Sequence, residues 1–260
     1  MTAGEEVLAV SDLDVRYRSG FQAVSGVSLS LARNERLAVI GPNGAGKTSL
    51  VSAICGDLRR KASVTGDLRI EGRSVARRRP HVRARMGLGR TYQVAQVFPG
   101  MTVLEHLALA RIARRRGVGR WLREVKSEFE LTDAEAKVID LLGLRKVLTQ
   151  RVSQLGQGDL KLVELAATLC AEPQILLLDE PTAGMGSREA ENVCEVIETI
   201  VALRPSLSII LIEHNMDVVF RVAQRAIVMH QGRVIADGTP DDVRADSEVR
   251  ALYLGYHAGA

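Results

Sequence analysis

The chain has 260 residues, a formal net charge of +4 and an apolar content of 46%. This length suits one large domain or a core with one sub-domain, and the apolar residues suffice for a sizeable buried core. The N-terminus lacks the basic and apolar regions of a signal peptide, and no apolar run reaches the roughly 18 residues of a membrane span. We therefore expect a soluble protein whose role at a membrane, if it has one, depends on a partner.

Cysteine spacing and arginine clustering narrow the class of protein further. Cys55, Cys170 and Cys194 lack metal-ligand spacing, which favours free thiols in a reducing cytoplasm. We interpret the clusters Arg77–Arg79 and Arg114–Arg116 as solvated surface. Because aromatic residues make up only 3% of the chain, no stacking platform accompanies these arginines, and we expect no nucleic-acid partner.

The N-terminal part of the chain predicts short strands that lead to a glycine-rich loop. Apolar alternation, as in an edge strand, and one short apolar run predict strands over Leu8–Val10, Leu13–Tyr17, Val27–Leu31 and Arg36–Ile40. After the loop, Thr48–Cys55 predicts a helix that ends at Gly56. A strand directly before a glycine-rich loop and a helix directly after it form the context in which such a loop binds phosphate.

The loop itself fits the pattern G-x-x-x-x-G-K-[ST] through the residues Gly41, Pro42, Asn43, Gly44, Ala45, Gly46, Lys47 and Thr48. Small residues let backbone N–H groups surround phosphate oxygens, and the following helix directs its positive end at them. We expect Lys47 to reach the β- and γ-phosphates of ATP, Thr48 to bind Mg²⁺ through its hydroxyl, and Ser49 to contact the α-phosphate. The alternative, a glycine-rich turn with a chance lysine, does not explain the flanking strand and helix.

The rest of the chain predicts strands that alternate with helices. Leu68–Ile70 fits a hairpin strand, and helical patterns extend from Val103 to about Leu148, including Trp121–Phe129 and Ala134–Leu142. Further on, the patterns predict a helix at Glu164–Leu169, buried strands at Ile175–Leu178 and Ser208–Ile212, and a hairpin at Ala226–Ile235. This alternation predicts an α/β core with a parallel sheet, into which a helical stretch at roughly 95–155 is inserted.

Polar side chains at the ends of two predicted buried strands are candidates for catalysis. Asp179 ends the first of these strands, where a carboxylate faces the phosphate loop and holds Mg²⁺. Glu180 follows as a candidate general base for an attacking water. His214 follows the second strand and is placed to reach the γ-phosphate. From the residues alone, Tyr17 is equally an adenine-stacking ring or a local packing residue, and Gln93 is an ordinary loop glutamine.

These motifs, in this order, resemble an ATP-binding cassette (ABC) nucleotide-binding domain over nearly the whole chain. The resemblance implies a P-loop NTPase core with an antiparallel β sub-domain, formed by residues 1–94 and 156–260, and an inserted helical sub-domain at 95–155. It also implies that Tyr17 stacks on adenine, that Gln93 contacts Mg²⁺ and the attacking water, and that His214 senses the γ-phosphate. Residues Ala183–Gly186 stand where the family has its D-loop, a segment at the interface of two cassettes.

The family's signature motif, Leu-Ser-Gly-Gly-Gln at a helix start, departs from its usual form in this chain. Counting back from Pro173 and Asp179 places the motif at Leu155–Asp159, which reads LGQGD. A register that uses Ser153 would need one inserted residue. The signature serine is then Gly156, so the chain lacks a hydroxyl that binds the ATP of the opposite subunit, whereas the N–H groups of Gly156 and Gly158 remain.

Several segments are similar to the ATP-binding subunits of branched-chain amino acid importers and of related urea or amide importers: Phe21–Ser28, Gly89–Gln93, Val97–Val103, Ala183–Met185, Glu213–Val219, Gly238–Val243 and Tyr253–Gly255. In this chain Asn215 stands where the family usually has an acid after the switch histidine, and we expect this difference to soften the local hydrogen-bond network. The resemblance implies ATP and Mg²⁺ as ligands, transmembrane permeases and a second cassette (identical or paralogous) as partners, a substrate-binding protein as an indirect partner, and a place at the cytoplasmic face of the membrane.

Other interpretations of the same sequence remain open at this stage. A urea or amide importer, a lipid exporter, a soluble ABC ATPase acting on nucleic acid or ribosomes, and a regulatory subunit that binds ATP without turnover all share the phosphate loop. The soluble class usually has two cassettes or a long coiled coil, which this chain lacks. Lys47, Asp179, Glu180 and His214 are all present and argue against a subunit without turnover.

Overall fold

The computed structural model describes residues 5–114 and 131–254. Its N-terminal part forms an antiparallel sheet in the order β2-β1-β4-β5. The strands are β1 (Glu6–Tyr17), β2 (Gln22–Ala32), β4 (Ala62–Ile70) and β5 (Arg73–Ser74). The expectation that the first strand lies at an edge is wrong. β1 pairs with both β2 and β4; alternation of apolar and polar residues fixes which face of a strand is buried and not how many neighbours the strand has.

A second sheet of six strands carries the site, in the order β10-β9-β3-β8-β7-β6. Its strands are β3 (Arg36–Ile40), β6 (Leu88–Arg90), β7 (Ile175–Asp179), β8 (Ser208–Ile212), β9 (Arg225–His230) and β10 (Arg233–Gly238). Every pair is parallel except β9–β10, the predicted hairpin. All residues of β7 and β8 are buried, as expected for strands covered on both faces.

Helices cover both faces of this sheet and also lie within the described parts of the segment between β6 and β7. They are α1 (Lys47–Cys55), α2 (Pro80–Arg85), α3 (Val103–Arg114), α4 (Asp133–Leu141), α5 (Gln157–Cys170), α6 (Ser187–Leu203), α7 (Met216–Val222), α8 (Pro240–Ala245) and α9 (Ser247–Leu254). The predicted helix at Trp121–Phe129 lies outside the described residues. Among the helices within residues 5–114 and 131–254, none combines the length and the apolar composition required to cross a bilayer.

Helix α1 is fixed between the two sheets by its apolar side chains. Leu50, Val51 and Ile54 belong to a buried cluster that also contains Val15 and Val27 of the antiparallel sheet. The loop that precedes α1 is therefore held by packing on both sides. On the other face of the six-stranded sheet, Val103 and Leu107 of α3 and Val163 of α5 belong to one buried cluster with Leu178 of β7 and Leu211 of β8, so the helical segment packs continuously with the sheet.

Two predictions about isolated side chains are confirmed in the fold. Cys55, Cys170 and Cys194 are free and buried. Burial raises the pKa of the Cys55 and Cys170 thiols to about 12, so both thiols are protonated and packed as small apolar groups. Arg77–Arg79 is exposed, whereas Arg115 and Arg116 of the second cluster lie outside the described residues.

Candidate functional site

The loop between β3 and α1 has a backbone that only glycine can follow at two positions. Gly41 has a φ of +145° and Gly46 a φ of +103°. A Cβ at Gly41 would come within 2.2 Å of the Met229 carbonyl oxygen, and one at Gly46 within 2.3 Å of the Ala23 carbonyl oxygen. The loop is thus pressed against both β9 and β2, which gives it one shape before any ligand binds.

Lys47 lies between this loop and two acidic side chains. Its Nζ donates hydrogen bonds to the Gly41 carbonyl at 2.6 Å and the Pro42 carbonyl at 3.0 Å, and the residue is only 6% exposed. Burial lowers the pKa of Lys47, and the charges of Glu180 and Asp179 oppose that effect. Both carboxylates therefore lie close enough to the ammonium group to act on it, which brings three of the predicted residues into one site.

Glu180 and Gln93 contact one another although they lie on different segments. Gln93 Nε2 donates to Glu180 Oε2 at 2.8 Å. The backbone N–H of Glu180 donates to the Ile212 carbonyl at 3.0 Å, which joins the end of β7 to the end of β8. Glu180 has a φ of +50°, an uncommon conformation for a non-glycine residue that is concentrated at functional sites.

A cavity of about 190 Å³ lies beside the loop and is lined by Phe21, Ala23, the loop residues 43–49 and Glu180. It brings Lys47, Thr48 and Ser49 to one surface. The Tyr17 hydroxyl and the Ser49 hydroxyl are 3.1 Å apart and hydrogen-bonded, and the Tyr17 ring is half-buried against the first apolar cluster. The ring that stands exposed at the cavity is Phe21, which is 60% exposed. The sequence did not predict Phe21 as a site residue. The local sign of such a role was only that this aromatic side chain stands in the turn before β2.

His214 lies at the same edge of the sheet, and its imidazole is exposed. The residue before it, Glu213, is fully buried. Glu213 accepts hydrogen bonds from the Thr182 N–H at 3.1 Å and the Thr182 hydroxyl at 2.6 Å. It also accepts from the N–H groups of His214 and Asn215 at 3.1 and 3.4 Å. Glu213 thus fixes the turn after Glu180 to the turn that carries His214, a role that the sequence did not indicate.

The Asn215 side chain takes part in the hydrogen bonds of this turn. Its oxygen accepts a hydrogen bond from the Asp217 N–H at 3.0 Å and caps α7. Asparagine and aspartate are about equally favourable as helix N-caps. The softer network expected from the missing acid stays a prediction.

The signature segment begins a helix at the predicted position. Helix α5 starts at Gln157, and Gly156 is its N-cap with a φ of −72° and no side-chain cap. Gly156 and Gly158 are exposed. Lys161 Nζ donates to the Ala183 carbonyl at 3.2 Å, which joins α5 to the predicted D-loop. Gly158 and Ala183 line an open groove of about 780 Å³, and this groove shares no lining residue with the phosphate-loop cavity.

The residues present fit a magnesium ion. Thr48 offers a hydroxyl at the start of α1, and Asp179 offers a carboxylate at the end of β7. The amide of Gln93 is held at Glu180. Within residues 5–114 and 131–254, no group of three or more His, Cys, Asp or Glu side chains is arranged to hold a metal ion. One carboxylate with oxygen ligands, completed by phosphates and water, is the usual magnesium site of a nucleotide-binding protein.

Two buried charged residues around the site were also missed by sequence reasoning. Arg90 Nη2 donates to Asp179 Oδ2 at 2.7 Å. Glu164 of α5 accepts hydrogen bonds from the N–H of Tyr92 at 3.1 Å and the N–H of Gln96 at 2.7 Å. Glu164 therefore holds the segment around Gln93 to the signature helix. Neither residue stands in a local pattern that distinguishes it from a surface charge.

Comparison with known proteins agrees with this geometry. Residues 24–183 match the ABC transporter family, and residues 233–259 match the family of the branched-chain amino acid ATP-binding cassette transporter. The high-affinity branched-chain amino acid transport ATP-binding protein LivG of Salmonella typhimurium is 34% identical, over 96% of this chain and 98% of LivG. BraF of Pseudomonas aeruginosa, which carries the same description, is 30% identical over 96% and 98% of the two chains.

Solved structures share the fold. A nucleotide-free ATP-binding cassette from an ABC transporter superposes with a TM-score of 0.78 at 28% identity and covers 95% of this chain and 98% of that one. The ADP conformation of MJ1267, an ATP-binding cassette of an ABC transporter, gives a TM-score of 0.78 at 29% identity over 96% and 99% of the two chains.

Proposed function

Because the chain belongs to the ABC transporter family of ATP-binding cassettes, whose members are ATPases, we propose that it hydrolyses ATP to drive a branched-chain amino acid importer. The observation that carries the proposal is the site itself: the phosphate loop, Asp179, Glu180 and Gln93 meet at the carboxyl edge of the parallel sheet. Crevices at this edge are where open α/β sheets bind their ligands.

We propose that ATP binds with its phosphates in the Gly41–Thr48 loop. The N–H groups of the loop and the start of α1 would contact the phosphate oxygens. Lys47 would exchange its two carbonyl partners for β- and γ-phosphate oxygens. Tyr17 and Phe21 are the aromatic residues on this side of the loop, and we assign the adenine contact to this pair, with Tyr17 also fixing Ser49.

In the hydrolysis step, Glu180 would accept a proton from the attacking water as general base. Gln93 is bonded to Glu180 and would orient the same water. Thr48, Asp179 and Gln93 would hold Mg²⁺, which supplies charge stabilisation at the β- and γ-phosphate oxygens when bound. His214 would contact the γ-phosphate from the end of β8. Glu180 has a positive φ, and uncommon backbone conformations of this kind are concentrated at functional sites.

We further propose that two cassettes pair head to tail. The phosphate-loop cavity and the groove beside Gly158 are separate in one chain, so the signature N–H groups would serve an ATP on a second copy or on a paralogous cassette. A two-fold arrangement makes both sites equivalent in a homodimer. The helical segment at 95–155 would move as a sub-domain when the pair closes.

A groove of about 370 Å³ is our candidate for permease docking. It lies between α2, the segment after β6 and α3, and its lining includes Arg90, Gln96, His106 and Glu164. The lining also includes Tyr92, so the residues on both sides of Gln93 line this groove. A short cytoplasmic helix of a permease bound there would contact the segment that carries Gln93 and would place the chain at the cytoplasmic face of the membrane.

The substrate assignment rests on the C-terminal family match at 233–259 and on the descriptions of LivG and BraF. The same match favours an amino acid importer over a lipid exporter or a soluble ABC ATPase. A substrate-binding protein would act through the permeases and not through this chain. The urea or amide importer is the second candidate, and substrate competition separates it from the first.

Two measurements test the proposal. The first is phosphate release by the purified chain with Mg-ATP, in which Glu180→Gln should bind ATP and lose turnover, and Lys47→Ala should lose ATP binding. The second is uptake of labelled leucine in the native host. Deletion of the gene for this chain should abolish the uptake, and the wild-type chain should restore it whereas Glu180→Gln should not. Full turnover by Glu180→Gln would refute the general-base assignment. Loss of urea uptake with normal leucine uptake would favour the second candidate.

A further inference from the structure

Arg90 occupies a position that the proposed reaction leaves unexplained. It is the last residue of β6, and its partner across the parallel pair is Leu177 on β7, two residues before Asp179. Its side chain is only 9% exposed. A guanidinium in such a place needs strong compensation, because the charge has lost most of its water.

Four groups contact the guanidinium. Nη2 donates to Asp179 Oδ2 at 2.7 Å, and Nη1 donates to Asp57 Oδ2 at 2.8 Å and, at 3.5 Å, to the hydroxyl of Ser52 on α1. The Tyr92 ring lies against Arg90 Cζ, 4.4 Å from the ring centroid, a favourable cation–π distance. Asp57 follows the C-terminal end of α1. Arg90 therefore joins the far end of the helix that begins at Lys47 to the carboxylate proposed to bind Mg²⁺.

Arg90 and Arg83 are both buried arginines, but they differ in their hydrogen-bond partners. Arg83 is also buried, at 2% exposure, and it donates to four backbone carbonyls, those of Ala53, Ile54, Ala76 and Arg78. Arg90 instead takes two carboxylates and leaves its Nε without a partner. An unmade hydrogen bond in a buried position is costly. The carboxylate contacts, and not the satisfaction of every donor, fix the position of Arg90.

The charge balance indicates what these contacts do to a metal site. A cation beside Asp179 alone would repel Mg²⁺ and weaken its binding. Asp57 contacts the same guanidinium on its other nitrogen, so the Arg90–Asp57 pair is neutral as a unit. Because the charge of Asp57 largely cancels the repulsion between Arg90 and Mg²⁺, the main effect of Arg90 is to orient the Asp179 carboxylate. Arg90 holds one oxygen of Asp179 and leaves the other for the metal.

We propose that Arg90 is a positioning residue that fixes the carboxylate of Asp179 for Mg²⁺ and is itself anchored by Asp57 and Tyr92. This inference rests on the proposed function, which assigns Asp179 to the metal. The phosphate loop does not contact Arg90 in this arrangement. The Mg²⁺ dependence of the site should therefore change in Arg90 variants while ATP binding without metal does not.

The test uses the purified full chain and two titrations by calorimetry, ATP in EDTA and Mg²⁺ at saturating ATP. For Arg90→Gln we expect an ATP Kd in EDTA within about twofold of the wild-type value and a Mg²⁺ half-saturation raised about tenfold, the lower end of the loss usual for a residue that orients a metal ligand. Arg90→Lys keeps one charged contact and should recover part of that loss. Arg83→Gln is the matched control, since it removes a buried arginine away from Asp179. It should lower the Tm without changing the Mg²⁺ half-saturation.

An unchanged or lowered Mg²⁺ half-saturation in Arg90→Gln would overturn the inference, and so would an equal change in Arg83→Gln. If Arg90→Gln does not fold, Asp57→Asn supplies the test. It removes the distal anchor and should raise the half-saturation about threefold, less than loss of the residue that contacts the ligand itself, and an unchanged value counts against the inference. Failure of the proposed function looks different, because the wild-type chain itself would then bind no ATP.

Discussion

Restoring a serine at Gly156 should strengthen the ATP-bound pair of cassettes. The site accepts the new side chain without rearrangement: a Cβ at Gly156 meets no heavy atom within 4 Å, and the φ of −72° is ordinary for any residue. A serine hydroxyl at this N-cap would point from the helix start to the γ-phosphate proposed to lie across the interface. A hydrogen bond to a charged group contributes about 1.5–3 kcal/mol.

That free energy corresponds to roughly a 10- to 150-fold change in the association constant for one site. Two equivalent sites in a homodimer would double the free energy. The same serine stabilises the isolated chain by only a few tenths of a kcal/mol, because glycine is already an acceptable N-cap. The effect should therefore appear in dimerisation and hardly in the Tm.

The assay is ATP-dependent self-association by analytical ultracentrifugation, in the Glu180→Gln background so that ATP persists. Gly156→Ala is the matched control, since it adds the Cβ without the hydroxyl. We expect Gly156→Ser to lower the dimer dissociation constant by at least about tenfold relative to Gly156→Ala. Equal behaviour of the two variants would refute the reasoning, either because Gly156 does not face ATP or because the register of the signature is different.

Four further outcomes follow from contacts in and around the site. Gly46→Ala should weaken ATP binding by at least about tenfold, measured by calorimetry, because its Cβ would collide with a backbone carbonyl of β2 at a φ of +103°. Glu213→Gln should lower the Tm by roughly 2–12 °C, because the amide has one acceptor oxygen whereas the two carboxylate oxygens of Glu213 accept from four donors. Burial raises the pKa of the Glu164 carboxyl group, so the folded chain holds the carboxyl proton more tightly than the unfolded chain does. The protonated group therefore adds to the free energy of unfolding at low pH, and this contribution is lost as the pH rises from the ordinary pKa through the raised one. Glu164→Gln should remove that part of the pH dependence in denaturant titrations at pH 4–7. Phe21→Ala should weaken ATP binding while phosphate alone binds Lys47 as before, and an unaltered ATP affinity would leave Tyr17 as the adenine contact.

The phosphate loop could be predicted because its chemistry is contiguous. Strand, loop and helix follow one another in Arg36–Cys55, so the spacing of Gly41, Gly46 and Lys47 already predicts a phosphate-binding backbone. The positions of Asp179 and Glu180 could be predicted from the sequence for a related reason. An acid directly after a buried apolar strand is placed at the sheet edge by the strand itself, whatever the rest of the fold does.

Contacts between distant segments could not be predicted in this way. Glu164 contacts the backbone N–H groups of Tyr92 and Gln96, and Glu213 contacts Thr182. In each case a buried carboxylate meets donors that are tens of residues away, and no local period distinguishes it from a solvated acid. The position of β1 inside its sheet was missed for the same reason, because alternation fixes which face is buried and not how many neighbours a strand has.

The sequence by itself therefore determined the α/β class, the position of the predicted phosphate loop, the two buried strands that precede Glu180 and His214, and the glycine at the signature position 156. Those features depend on residues that are close in the chain. Only the tertiary structure showed that Phe21 and not Tyr17 stands exposed beside the loop, and that Arg90 lies on Asp179. Such contacts depend on how the sheets and helices pack, and packing selects partners by distance in space and not by distance along the chain.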